Sequence, residues 1–255
     1  MLELRNIARA YKSWNKCFGI GMNKTATSSL NCLMSSILGF RSRQSLVESS
    51  STIQAIRGNY RPLLECMDFL DFHQDLPCSQ GMVFVALDAL FPASKFILTV
   101  RESSSWAESF IHHYGNHFLS IILEGSRLEP SFWLFRGYQK IWLHKYWREA
   151  IDYLAVKYSG CSPPEESSEW IDLLISDQRF NSILVECYDR RNDAIIAYFR
   201  GRPSDCLVID ISKQKDIAPV CDFLEIPVKT FIAMPKINMR RARGVSGKPD
   251  PSAGQ

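Results

Sequence analysis

Apolar positions along this chain come in two rhythms. Short continuous runs alternate with longer stretches in which apolar residues recur at helical spacing. Cys17-Phe-Gly-Ile20 is the first short run. A polar, Gly-bearing stretch follows, and then residues 28–38, where Leu30, Leu33, Met34, Ile37 and Leu38 fall on one helical face. This pattern predicts strand, loop, helix. Residues 82–90 are mostly apolar and fit a helix or a strand. Phe96-Ile-Leu-Thr-Val100 is continuous and β-rich, as expected of a strand buried on both faces. Residues 103–117 predict a helix, with Ser103 to Ser105 as caps and Glu108 near its first turn.

The middle of the chain, 120–200, reads differently. Residues 138–158 predict a long aromatic amphipathic helix carrying Tyr138, Ile141, Trp142, Lys145, Tyr146, Ile151, Leu154 and Ala155. Gly160-Cys-Ser-Pro-Pro164 breaks it, and a second helix is predicted from about 180 to 199. Cys206-Leu-Val-Ile-Asp-Ile211 is a further strand candidate, and 218–224 a short helix. Strands alternating with helices argue an α/β fold with a mostly parallel sheet. Ligands of such sheets bind beyond the C-terminal strand ends, so the loops at 19–28 and 101–105 are the ones to examine.

Composition narrows the class. At 255 residues, with 46% hydrophobic and 22% charged, the chain has a globular balance. One domain over 1–239 is expected, with a helical cap over about 111–200. The basic, Gly/Pro-rich tail at 240–255 is expected to be disordered. A net charge of +3 gives no argument for nucleic acid. No apolar run reaches the roughly 18 residues of a membrane span, and the start lacks a signal-peptide core. Eight cysteines form no CxxC pair and no zinc spacing with His. Reduced core cysteines, no metal and a cytoplasmic location are expected; homo-oligomerisation stays open.

The first loop, Phe18-Gly-Ile-Gly-Met-Asn-Lys-Thr-Ala-Thr-Ser-Ser-Leu30, leaves a strand and opens a helix. Lys24 precedes four small residues, three of them hydroxylated. Helix N-terminal N–H groups, hydroxyls and a Lys together make an anion cradle. A nucleoside-triphosphate P-loop would need glycines where Phe18 and Asn23 stand. The strand at 96–100 also ends in Arg101 rather than a magnesium-holding Asp, which disfavours a magnesium-dependent kinase. In the second loop Arg101 offers a bidentate fork for phosphate, and Ser109 follows eight residues later.

Taken together, residues 23–30 and 96–109 resemble the two signature segments of the sulfotransferases that use 3′-phosphoadenosine 5′-phosphosulfate (PAPS). Asp71-Phe-His-Gln-Asp-Leu-Pro77, Leu90-Phe-Pro-Ala-Ser-Lys95, Leu207-Val-Ile-Asp210 and Cys221-Asp-Phe-Leu-Glu-Ile-Pro227 look like a bacterial-type branch of that family. The resemblance covers about 16–110 and 204–239. It implies a P-loop-like three-layer α/β sandwich with a helical acceptor-binding insertion.

The resemblance also implies chemistry. Sulfuryl would pass from PAPS to a hydroxyl or amine of a small-molecule, saccharide or lipid acceptor, releasing adenosine 3′,5′-bisphosphate without a metal. Asn23, Lys24, Thr25, Ala26, Thr27, Ser28 and Ser29 would hold the 5′-phosphosulfate, with Lys24 at the reacting oxygens. Arg101 and Ser109 would hold the 3′-phosphate. Ala26 stands where the family usually has Gly, and a left-handed backbone there would cost Ala on the order of 1 kcal/mol. Lys236, Arg240, Arg241 and Arg243 are candidates for the C-terminal contribution to the 3′-phosphate. Asp75, then Asp71, then His73 are candidates for the general base, with His112 and His113 behind them. Trp133, Phe135, Tyr138, Trp142, Tyr146 and Trp147 would line the acceptor cap or pack its core. A non-catalytic nucleotide-binding member of the same fold and a P-loop kinase-like enzyme are the alternatives. Nucleotide binding without transfer would mark the first, and ADP–magnesium binding the second.

Overall fold

Short apolar runs do become strands, and the computed structural model arranges them in one sheet. It describes residues 2–43, 54, 59–75, 77–79, 81–124, 145–158 and 167–237. The strands are β1 (Cys17–Gly19), β2 (Ser42–Arg43), β3 (Phe72–Gln74), β4 (Lys95–Thr99) and β5 (Cys206–Ile209). Their order is β2-β3-β1-β4-β5, and every pairing is parallel. Parallel neighbours align their C-terminal ends: Gly19 pairs with Gln74 on one side and Ile97 on the other.

Strand period 2 divides the core into two layers. Cys17, Phe72, Ile97 and Ile209 face one side. There they meet Ala8 of α1 (Leu2–Ala10) and Leu30 of α2 (Thr27–Cys32), which runs on through a π-turn, Leu33–Ile37. Phe18, Phe96 and Leu98 face the other side. They pack on Leu63 and Met67 of α3 (Arg61–Asp68) and on Val83, Phe84 and Leu87 of α4 (Val83–Leu90). Helix, sheet and helix thus make three layers, each buried large apolar side chain contributing about 1.5–3 kcal/mol.

A third apolar cluster is helical apart from Met22 of the loop after β1. α5 (Ser103–Glu124), α6 (Lys145–Lys157), α7 (Ser167–Ser176) and the first half of α8 (Gln178–Phe199) bury Trp106, Ile111, Leu154, Trp170, Leu174 and Phe180 together. Trp170 Nε1 donates to Gly115 O at 2.9 Å, seating α7 on α5. The second half of α8 behaves differently. Its Ile195 and Phe199 join Phe18 and Phe96 on the sheet, so the last part of the 111–200 stretch belongs to the sandwich itself. A 3₁₀ turn (Ile211–Lys213) and α9 (Ala218–Phe223) complete the first layer. Among the described residues no helix is long and apolar enough to cross a membrane.

The ambiguous segment at 82–90 is a helix, because one side of it covers the β1–β4 face. The cap expected from Ser103 to Ser105 is supplied one residue earlier. Glu102 accepts from the Ser104 and Ser105 N–H groups at 2.9 and 2.7 Å, and these backbone donors hold its carboxyl below the usual range. Trp133, Phe135, Tyr138, Trp142, His144, Arg240, Arg241, Arg243 and the 240–255 tail lie outside the described residues.

α8 begins at a buried carboxylate. Asp177 Oδ1 accepts from Phe180 N at 3.1 Å and Tyr153 Oη at 3.1 Å, and Oδ2 from Lys157 Nζ at 2.7 Å. Burial pushes its pKa up, but Lys157, the Phe180 N–H and Tyr153 outweigh burial and leave it lowered. A lowered folded pKa means stabilisation that is complete above the unfolded value of about 3.9 and is lost as pH falls through the folded one. Asp177→Asn is therefore expected to cost about 1–3 kcal/mol near neutral pH. The gap from wild type should close below about pH 4, read by thermal unfolding across that range. A gap independent of pH would remove the charge from the account.

Candidate active site

The C-terminal edge of the sheet gathers the loop after β1, the turn after β3 and the segment after β4. The first loop must come very close to β4. A Cβ on Gly21 would lie 2.0 Å from Thr99 Oγ1 and 2.5 Å from Thr99 O, so only glycine fits there. Beyond it the backbone turns left-handed twice, at Lys24 (φ 73°) and Ala26 (φ 65°, ψ 31°). Alternation of this kind points successive N–H groups toward one concavity, the geometry of an anion nest. Ala26 directly precedes α2, and its carbonyl takes the Ser29 and Leu30 N–H groups at 3.0 and 3.1 Å, so the N–H groups of Thr27 and Ser28 are those with no preceding turn to bond. The left-handed backbone that a glycine would ease is thus present, with Ala carrying its strain.

Neighbouring elements hold this loop in shape. Thr25 Oγ1 lies 2.6 Å from both Met22 O and Thr99 Oγ1. Trp106 Nε1 donates to Asn23 O at 2.9 Å, and Asn23 Nδ2 to Tyr114 Oη at 2.8 Å, both partners on α5. Gln74 Nε2, at the end of β3, donates to Thr27 O at 2.6 Å. Met22 is buried in the helical cluster. Two of the hydroxyls expected in the cradle are therefore turned away from it. Thr25 braces β4, so its part in a cradle is main-chain, while Ser29 Oγ accepts from Ile237 N at 3.0 Å and the Ser29 N–H donates to Ala26 O at 3.0 Å. The bond from Ile237 also brings the chain around Lys236, which is exposed, alongside α2.

On β4, Arg101 follows the strand end, half-buried. Its N–H donates to Tyr188 Oη at 2.9 Å, and Tyr188 Oη lies 3.3 Å from Arg101 O. Glu102 is spent on capping α5. Ser109 sits half-buried in the second turn of α5.

The sheet separates the candidate bases. Asp75 follows β3 at the same edge as Lys24, with φ 65°, and its carbonyl accepts from Ser79 N at 2.7 Å. Asp71 precedes β3 and lies at the opposite edge, where Cys17 N donates to its carbonyl. Four residues of strand put about 13 Å between them. The Asp71 carboxylate instead accepts from Arg41 N, Nε and Nη2 at 3.0, 3.0 and 3.2 Å, with Lys12 at 3.7 Å. Burial raises its pKa, but Arg41 more than offsets this, so the carboxyl stays below its usual range. Asp71 is a structural ion pair at the far edge, a correction to its candidacy. His73 is buried inside β3, in register with Phe18. His112 lies 3.6 Å from Glu108 on α5, and His113 packs edge-on against Tyr114.

Among the described residues five non-glycine residues have positive φ, and three of them (Lys24, Ala26 and Asp75) stand at this one edge. Such strain collects where a site over-determines the backbone. Among the described residues no cluster of three or more His, Cys, Asp or Glu could hold a metal ion. Thr99, Gln74 and Trp106 lie inside the resembling segments without having been singled out there, and Tyr188 lies outside them; their hydrogen bonds to the loops bring all four forward.

Comparison with curated proteins finds no match. A family model described as a sulfotransferase domain matches residues 16–243, from the start of β1 past the last described residue. That span contains the strained loop, the Arg101 segment and the whole parallel sheet, and with it the chain belongs to the sulfotransferase domain family.

Proposed function

We propose that this protein transfers a sulfuryl group from PAPS to a hydroxyl or amine of a small-molecule, saccharide or lipid acceptor. The observation that carries the reading is the pairing of the left-handed cradle after β1 with Arg101 at the end of the adjacent strand β4, in a member of the sulfotransferase family. Two anionic groups on one nucleotide need two such places. N–H groups of residues 24–28, with the Thr27 and Ser28 hydroxyls, hold the 5′ end. Arg101 and Ser109 hold the 3′-phosphate, with the chain around Lys236 close by.

In the transfer, the acceptor oxygen or nitrogen attacks sulfur as the bond from sulfur to the 5′-phosphate oxygen breaks. The electron pair stays on that oxygen, where the Lys24 ammonium meets the developing charge. The acceptor proton goes to Asp75, the carboxylate that shares the edge. Most of the rate comes from holding donor and acceptor in line. α5, α6, α7 and the start of α8 form the cap against which the acceptor is bound.

Arg101→Ala tests the assignment. Losing a charge-assisted pair to phosphate costs about 1.5–3 kcal/mol, or roughly 10–100-fold in affinity for adenosine 3′,5′-bisphosphate. Affinity for adenosine 5′-monophosphate should stay within about twofold. Equal losses on both nucleotides, measured by calorimetry, would take Arg101 out of the 3′ site. Stabilisation of the wild type by ADP–magnesium alone would overturn the donor class.

A further inference from the structure

α8 carries the buried Tyr188 and the partly buried Arg191 three residues apart, and the transfer just described uses neither. Residues at this spacing share a helix face. Tyr188 is 1% exposed, and its ring stacks on Trp106 with centroids 4.4 Å apart and planes at 18°. Its hydroxyl is the partner of the Arg101 main chain, taking the N–H at 2.9 Å and lying 3.3 Å from the carbonyl. Arg191 sends Nη2 to Ile20 O at 2.8 Å and Cys78 O at 3.4 Å, and Nε to Gly81 O at 3.3 Å. Its Nη1 is enclosed and has no partner among the described residues. No carboxylate among the described residues pairs with this guanidinium, and burial lowers its pKa to about 10.

A cation partly withdrawn from water without a carboxylate is costly to keep. What it touches explains its retention. Ile20 is the last residue before the cradle loop, and Cys78 and Gly81 lie in the connection that begins at Asp75. The planar fork of an arginine can hold carbonyls from separate segments at once, which a lysine ammonium cannot do with the same geometry. One face of α8 therefore reaches the ends of β1 and β4 and the turn after β3.

We propose that α8 sets donor specificity through two positioning residues. Tyr188 fixes the main chain of Arg101 and so determines how strongly a 3′-phosphate is read. Arg191 fixes the Ile20 carbonyl and so determines the shape of the cradle used by any 5′-phosphorylated nucleotide. The inference rests on the PAPS reading above.

The test compares the full-length wild type with Tyr188→Phe and Arg191→Lys. Calorimetric affinities are measured for adenosine 3′,5′-bisphosphate and adenosine 5′-monophosphate. Tyr188→Phe keeps the ring stacked on Trp106 and removes only the hydroxyl, so the fold should persist, as thermal unfolding will check. It should weaken the bisphosphate about three- to tenfold and leave the monophosphate within about twofold. Arg191→Lys should weaken both nucleotides by a similar factor, about threefold or more, and keep their ratio. If the wild type does not prefer the bisphosphate, the donor reading falls and this inference with it. If the wild type prefers it and Tyr188→Phe keeps the full preference, α8 is only scaffold, and the donor reading stands without it. Should Arg191→Lys fail to fold, the Tyr188→Phe ratio alone decides.

Discussion

Replacing Lys24 by Ala is expected to lower release of adenosine 3′,5′-bisphosphate from PAPS by about 10²–10³-fold, the usual consequence of removing one group that meets charge developing in a transition state. Lys24 stands at the fifth position after Gly19, the end of β1, in a left-handed backbone whose two neighbours are gripped from outside the loop. Asn23 is gripped from α5 on one side of it and Thr25 from β4 on the other. The loop should therefore keep its shape without the ammonium, and the melting temperature should stay within about 2 °C of wild type. Ala at φ 73° is about as strained as Lys, so the substitution adds no backbone cost of its own. Unchanged release in a folded variant would take Lys24 away from the reacting oxygens.

Gly21→Ala is expected to act in the opposite way, through the fold first. The new methyl would sit 2.0 Å from Thr99 Oγ1, 2.5 Å from Thr99 O and 2.8 Å from Thr99 N. A rotamer change could move the hydroxyl but not the two main-chain atoms. Either β4 or the loop must shift, and overpacking of this kind costs about 3 kcal/mol or more. In a chain of this size that is a fall of roughly 6–12 °C in melting temperature. The Thr25–Thr99 hydroxyl pair is broken by the same displacement, so nucleotide binding should be lost with it. A melting temperature within about 2 °C of wild type would contradict the close approach.

Much of this site could be read before any coordinates. Continuous apolar runs buried on both faces identify β1 and β4, because a strand covered on both sides has no reason to alternate, and the run at 206–209 identifies β5, although as an edge strand it leaves Val208 exposed. Helical spacing identifies α2, α5 and α8. Comparison of Lys24-Thr-Ala-Thr27 with a family that usually has Gly at the third position indicates a left-handed residue there, and Ala26 has φ 65°. β2 and β3 stayed hidden because two or three residues carry too little periodicity to register. Asp71 and Asp75 were hard to rank for the same reason, as two similar carboxylates flanking an unrecognised strand.

The sequence by itself determined the fold class and the loops that matter, since burial and periodicity are local properties written residue by residue. It also put Lys24 in the loop after the first strand and Arg101 just past the end of the strand at 96–100. Only the tertiary structure decided which acid stands at the edge of the cradle. A parallel sheet sends Asp75 to the edge of the cradle and leaves Asp71 about 13 Å away, paired with Arg41. It also decided that Thr25 and Ser29 turn their hydroxyls inward, and that Tyr188 and Arg191 of α8 hold the loops from far along the chain. Hydrogen bonds between residues 87 or 171 positions apart leave no local pattern, because the chain between them is free to carry almost any sequence that folds.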